Sequence, residues 1–282
     1  VKPQEELFAS CGLFFQAQFP AMARLLTLLT DFGTRDSYVA AMKGVIAQID
    51  RTLQSIDLTH DIEPQDVYSA RFCLMTAYPY FPPETVHVAV VDPGVGSSRR
   101  AIAVQLENGF LVAPDNGLVS GVLSQFSAVA AVELTNSAYW RVAKTSCTFH
   151  GRDIFAPVGA HLARGVPLAE LGNPIDLHSL IQLSLPNPAS TKDGWTGCIQ
   201  AIDRFGNLIT NIPADVLPPR WFVSIAQTRI AGSFTYADRP VGELLALVGS
   251  HGFVEIAINC GSAQAALKLA IGTPIKIQND IL

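Results

Sequence analysis

Aspartate, arginine and histidine recur in this chain where apolar runs end, and these are the side chains that accept protons, hold anions and orient a reacting water. In LLTLLTDFGTRDSYVAAMKG, Asp31 falls just past an apolar run and Asp36 just before the next periodic one. Asp31 reads equally as a turn residue with Gly33, and Asp36 as the cap of the following helix. In TVHVAVVDPGVGSSRRAIAV a run ends at Asp92, a Pro-Gly turn reverses the chain, and Arg99 and Arg100 precede the next run. GVGSSR is not a dinucleotide fingerprint, because the third glycine is absent and a strand follows where a helix is required. The plain alternative makes Asp92 a turn residue and the two arginines solvated charges at a strand edge. In TFHGRDIFAPVGAHLA, His150 and Gly151 precede a helix with Arg152 and Asp153 in its first turn. A structural histidine is the alternative there, as it is for His60 in DLTHDIEPQD. In AIDRFGNLITNI, Asp203, Phe205 and Asn207 share one turn, and Ser250, Asn259 and Cys260 follow in GSHG and INCGSA. A hairpin turn explains the first of these equally well. Phe205 and Tyr236 are of the type that stacks on a base or covers a core. No HExxH pattern and no CxxC pair occurs, so no metal site is expected.

The elements that must position these residues follow from the pattern between them. From Arg24, apolar runs alternate with helix-like segments: 25–30, 37–49, 53–58, 67–78 and 86–91. Further strands are expected over 101–106, 110–113 and 130–134, and a helix over 155–163. That alternation predicts an α/β domain with a mainly parallel or mixed central sheet, whose ligands sit outside the carboxyl ends of its strands. After a proline-interrupted stretch, short β-like runs at 196–202, 208–212, 222–226, 253–258 and 274–278 predict a small β-rich, barrel-like domain. The expected division is an extension over 1–23, an α/β domain over 24–172, a linker over 173–194 and the β-rich domain over 195–282.

Composition narrows the partner. The chain has 282 residues, 49% hydrophobic and 15% charged, which is globular and not disordered. A formal net charge of −5 argues against binding nucleic acid through its phosphates and leaves a small molecule as the expected ligand. Residues 7–19 are apolar but too short and too broken to span a membrane, so no membrane association is expected. Lys2 followed by Glu5 and Glu6 is a poor signal-peptide start, and Met22 is read as the natural start of translation. Five separated cysteines predict free thiols in a reducing, cytoplasmic compartment.

Taken in order, TDFGTRDSYVAAMKG, DLTHDIEPQDV, VVDPGVGSSRR, VAPDNGL, FHGRDIFAPVGAHLA, IDRFGNLITNI and INCGSA resemble the S-adenosyl-L-methionine hydrolases that form adenosine, and their relatives the adenosyl-halide synthases. The resemblance runs from about Leu25 to Gln278. It implies a homotrimer whose site lies between the first domain of one subunit and the second domain of its neighbour, with S-adenosyl-L-methionine as substrate and no cofactor. On that likeness Asp31 holds the ribose hydroxyls, and Asp36, Asp203 and Ser250 take the amino-acid end. Asn207 and the backbone about Asn259 and Cys260 read adenine between Phe205 and Tyr236. The hydrolase branch carries an Asp, Arg and His trio that falls on Asp92, Arg99 and His150. The halide synthases resemble this chain less here: they carry a tyrosine at the position of Asp92, a halide-contacting serine at Gly151 and an arginine at His251. Halide-dependent substitution and a non-catalytic sensor of the same ligand are the alternatives that the likeness leaves.

Overall fold

The computed structural model describes residues 25–225 and 228–280. The expected extension over 1–23, with Met22 as the start, lies outside the described residues. The first strand, β1 (Leu26–Thr30), is buried along its whole length, as its LTLLT sequence dictates for a strand covered on both faces. Its two threonines stay buried because histidines meet them: Thr27 Oγ1 lies 2.8 Å from His87 Nδ1, and Thr30 Oγ1 2.8 Å from His60 Nδ1. His60 is thereby structural.

With β2 (Ser55–Thr59), β3 (Thr85–Val90), β4 (Ala101–Leu106), β5 (Gly109–Pro114), β6 (Ala128–Glu133) and β7 (Asn173–Pro174), β1 builds a sheet of order β2-β1-β3-β5-β4-β6-β7. The β2, β1, β3 and β5 strands run parallel, and β4, β6 and β7 are antiparallel additions. The sheet is therefore mixed, as expected. Helices α1 (Tyr38–Ile49), α2 (Val67–Ala77), α3 (Ser120–Leu123) and α4 (Ala156–Ala163) cover it. Leu26, Leu28 and Val88 face Met42, Ile46, Val158 and Leu162 on the side of α1 and α4. Leu29, Ala89 and Val91 face Ala70, Leu74 and Val122 on the side of α2 and α3. The period of two along β3 sends alternate residues to opposite cores. The reading of Asp36 as the cap of α1 is corrected: Ser37 occupies that position, its side chain makes no capping bond, and Asp36 is exposed one residue earlier.

The second unit consists of β8 (Ala189–Thr191), β9 (Gly194–Ile202), β10 (Leu208–Pro213), β11 (Trp221–Ile225), β12 (Thr228–Ala231), β13 (Leu244–Val248), β14 (Phe253–Ile258) and β15 (Pro274–Asn279), with the short helix α5 (Ala263–Leu267). Its main path, β12-β11-β15-β9-β10-β14-β13, is antiparallel, and a bridge between Gly232 and Ala246 brings the two ends together. A nearly closed barrel results, filled by Ile199, Leu208, Val223, Val254, Ile256 and Ile277. The stretch between the units is itself paired, Asn173–Pro174 with β6 and Ala189–Thr191 with β9. Phe72 of α2 meets His251 and Phe253 of the barrel at ring-centroid distances of 5.5 and 6.4 Å, which seats one unit against the other.

Candidate functional site

Strand β3 runs on through buried Val91, whose carbonyl accepts from Asn116 Nδ2 at 2.8 Å, and delivers Asp92 at the carboxyl end of the sheet. The chain then turns tightly. Gly96 stands at φ +77°, and a Cβ there would meet the Cys147 carbonyl oxygen at 2.4 Å, so only glycine lets this loop lie against the segment that leads to His150. The turn returns Arg99 directly behind Asp92.

Arg99 grips Asp92 with two nitrogens: Nε lies 2.9 Å from Oδ1, and Nη2 lies 2.5 Å from Oδ2. The same Nη2 lies 2.8 Å from His150 Nδ1. The ion pair is nearly dry, with side chains 5% exposed for Asp92 and 10% for Arg99, and Phe155 carries the guanidinium 5.2 Å above its ring. A guanidinium only donates, so His150 Nδ1 accepts, and the neutral imidazole carries its proton on Nε2. Burial, then the nearby Arg99 charge, lowers the pKa of His150 below its ordinary value.

His150 directly precedes a single π turn, Gly151–Phe155, that continues into α4. The loop before it is anchored by Asp153, which is fully buried and accepts from Arg141 Nε at 2.6 Å, Arg152 Nε at 2.7 Å and the Ser146 amide at 2.8 Å. These contacts hold the Asp153 carboxyl well below the usual carboxylate range despite burial. Neither Asp153 nor its arginines were singled out as site residues from sequence, although FHGRD contains the carboxylate. Arg100 is not a solvated edge charge either: just before the interior strand β4, it pairs with buried Asp115 at 2.5 Å.

Asp92 and His150 line a cavity of about 380 Å³ together with Asp31, Gln65, Phe32 and Phe149. Arg99 stays behind that wall. Asp31, which lines this cavity, accepts from the Gln65 amide through Oδ2 at 2.8 Å. Asp36 is exposed and does not line it.

The second-domain candidates form a separate group. Asp203 Oδ1 accepts from the Phe205 and Asn207 amides at 2.9 and 2.8 Å, and its Oδ2 accepts from Asn207 Nδ2 at 2.9 Å. The hairpin-turn reading of this segment therefore holds, and it fixes the side chain of Asn207. The Gly206 carbonyl accepts from the Gln264 amide at 2.9 Å, joining this turn to the segment that follows Asn259 and Cys260. Asn259 Nδ2 donates to the Arg239 carbonyl at 2.7 Å, and Cys260 stands at φ +57°. Phe205 is 76% exposed, Tyr236 is exposed and Ser250 is exposed. None of these second-domain residues lines the cavity of the same chain.

Comparison with known proteins places this geometry among relatives. Residues 26–172 match the family model for the SAM hydroxide adenosyltransferase N-terminal domain, and residues 197–276 that for its C-terminal domain. A protein of Salinispora arenicola named (R)-S-adenosyl-L-methionine hydrolase is 41% identical over 89% of this chain and 97% of its own length. A protein of the same name from Thermus thermophilus is 38% identical over 90% of this chain and 99% of its own. A crystal structure described as an uncharacterized conserved protein from Thermotoga maritima superposes with a TM-score of 0.83 at 37% identity, covering 89% of this chain and 99% of that one.

Proposed function

The chain belongs to the SAM hydroxide adenosyltransferase family, and on that premise we propose that it hydrolyses (R)-S-adenosyl-L-methionine to adenosine and L-methionine, water attacking the ribose C5′. The observation that carries this reading is the hydrogen-bonded trio of Asp92, Arg99 and His150, two of whose members open onto the cavity that Asp31 lines.

The sulfonium makes methionine a neutral leaving group, so the carbon–sulfur bond breaks without an acid at sulfur. What the site must supply is a nucleophile held in line and stripped of bulk water. With Nδ1 of His150 occupied by Arg99, the acceptor of the trio that remains for a water is the Asp92 carboxylate, whose Oδ1 keeps a lone pair beside its bond to Arg99. Asp92 accepts a proton from the attacking water, and His150 donates Nε2–H to the same oxygen. One C–O bond forms, one C–S bond breaks, and the proton passes from Asp92 to solvent. Arg99 fixes the planes of both partners from behind. Gly151 offers no hydroxyl to a halide, which favours water as the nucleophile.

Asp31 holds the ribose hydroxyls, and Asp36, Asp203 and Ser250 take the amino-acid end. Asn207 and the backbone about Asn259 and Cys260 read adenine, stacked by Phe205 and Tyr236. A cavity drawn from first-domain residues alone, with Phe205 76% exposed, supports a site completed by the second domain of a neighbouring subunit, in the homotrimer that the resemblance implies. No cofactor takes part. A site that grips both the ribose and the amino-acid end fixes the configuration at sulfur, in keeping with the (R) epimer for which the relatives are named.

Incubation with each separated epimer in water labelled with oxygen-18 tests the reading. The expected result is labelled adenosine from the (R) epimer. Enzyme-dependent adenine would mean attack at C1′, and methylthioadenosine would mean attack on the methionine chain. Either would overturn the proposal.

A further inference from the structure

Glu255 is an acid in an otherwise apolar strand. In β14 the residues Val254, Ile256 and Ile258 turn into the barrel, so Glu255 faces the opposite side, where it is only 3% exposed. A carboxylate so deeply buried needs partners. Among the described residues it has two, neither a lysine nor an arginine: the Tyr236 hydroxyl donates to Oε1, and His251 Nε2 lies 3.0 Å from Oε2. His251 Nδ1 accepts from the Phe253 amide at 3.2 Å, so its ring is neutral and donates Nε2–H to the carboxylate. Gly249 makes room for this arrangement, since a Cβ there would meet Glu255 Oε2 at 2.4 Å and His251 Cε1 at 2.5 Å. On its outer side the His251 ring packs edge-on against Phe72 of α2, at 5.5 Å and 73°. A continuous chain of contacts therefore runs from the first domain, through His251 and Glu255, to the ring of Tyr236.

The geometry points to Glu255 as a positioning residue of the ligand site, one that holds the Tyr236 ring as a stacking face for a purine ring and ties that face to α2. The proposal rests on the functional reading above, and it assigns a role to a residue that touches no ligand itself. Tyr236 is an exposed side chain on a short turn, Tyr236–Asp238, and its hydroxyl is held by Glu255. An unpinned phenol samples several rotamers and loses that freedom on stacking, which weakens binding without touching the chemistry at C5′. His251 also donates nothing to a ligand while it serves Glu255, so the ammonium and carboxylate of the substrate are left to other groups.

The test is steady-state turnover of S-adenosyl-L-methionine by the full chain carrying Tyr236→Phe, Glu255→Leu, Glu255→Gln and the Tyr236→Phe/Glu255→Leu pair, with melting temperatures measured alongside. Tyr236→Phe and Glu255→Leu should each raise KM about tenfold with kcat within about threefold of the parent, a pattern of lost binding. The pair should be no worse than either single change, because both remove the same bond. Glu255→Gln can turn its oxygen to His251 Nε2–H and its amide N–H to the phenol oxygen, so it still holds the ring and should restore KM to near the parent value. If Glu255→Leu does not fold, Tyr236→Phe and Glu255→Gln still decide the matter. Additive effects in the pair, a fall in kcat at constant KM, or no recovery with glutamine would overturn the role of Glu255. A parent protein that forms no adenosine would instead overturn the functional reading beneath it.

Discussion

Arg99 Nη2 stands within hydrogen-bonding distance of two unlike acceptors, Asp92 Oδ2 at 2.5 Å and His150 Nδ1 at 2.8 Å, and this shared donor decides which imidazole nitrogen keeps its proton. A lysine at this position would retain the charge but lose the planar fork that reaches both. Arg99→Lys should therefore lower kcat by about 10²-fold while KM changes little, because Arg99 does not line the cavity. Chromatographic assay of adenosine checks this, and a matching rise in KM would show Arg99 to be a binding group.

Asp92→Asn keeps the shape of the side chain and removes the proton acceptor. Substrate affinity measured by calorimetry should stay within a few-fold, whereas turnover should fall by about 10²- to 10⁴-fold. Equal losses in both would make Asp92 a folding or binding residue.

Protonating His150 at Nδ1 would set an N–H donor against the Arg99 donor. Its pKa is accordingly lowered from 6.5, by burial first and by Arg99 second. Neutral His150 thus persists as the pH falls through 6.5, and kcat/KM should hold level there and decline only at lower pH. A decline centred at or above 6.5 in the pH–rate profile would contradict the assigned tautomer.

His87 makes a stability prediction with a defined sign. Burial lowers its pKa from 6.5 to about 4 in the folded chain. Between those values the unfolded chain binds the extra proton and the folded chain does not, so His87 lowers stability progressively as pH drops from about 6.5 toward about 4 and contributes nothing to the slope above 6.5. Urea midpoints across that window, compared with His87→Gln, should show a shallower acid slope in the variant.

A site shared between subunits predicts complementation. Asp31→Ala and Asp203→Ala should each be nearly inactive alone. Subunits mixed under exchange conditions should regain about a quarter of parent activity, since that fraction of randomly assembled seams joins two intact halves. No recovery after verified exchange would place both halves of the site in one chain.

Much of the first domain was legible because β1, β3, β4 and β5 are largely buried runs and α1 buries one face, and the clusters at Asp31 and Asp92 do fall at strand ends. The barrel was harder. β12 and β13 are short, and the bridge that brings them together, Gly232 to Ala246, joins residues that no local pattern pairs. Asp92, Arg99 and His150 were nameable by likeness, but their mutual bonding was not, because the bonds to His150 join residues 51 apart. Glu255 left a usable signal that went unread: a lone acid inside FVEIAI must be buried with a partner or break the strand.

The π turn at Gly151–Phe155 has a consequence for how this chain can change. It accommodates one residue more than an α-helical turn. Deleting one residue there would let α4 run on as an ordinary helix while rotating the preceding position by about 100°, the angular step of a helical residue. His150 would then swing off Arg99. The direction in which His150 points is thus set by the number of residues in this turn as much as by their identity.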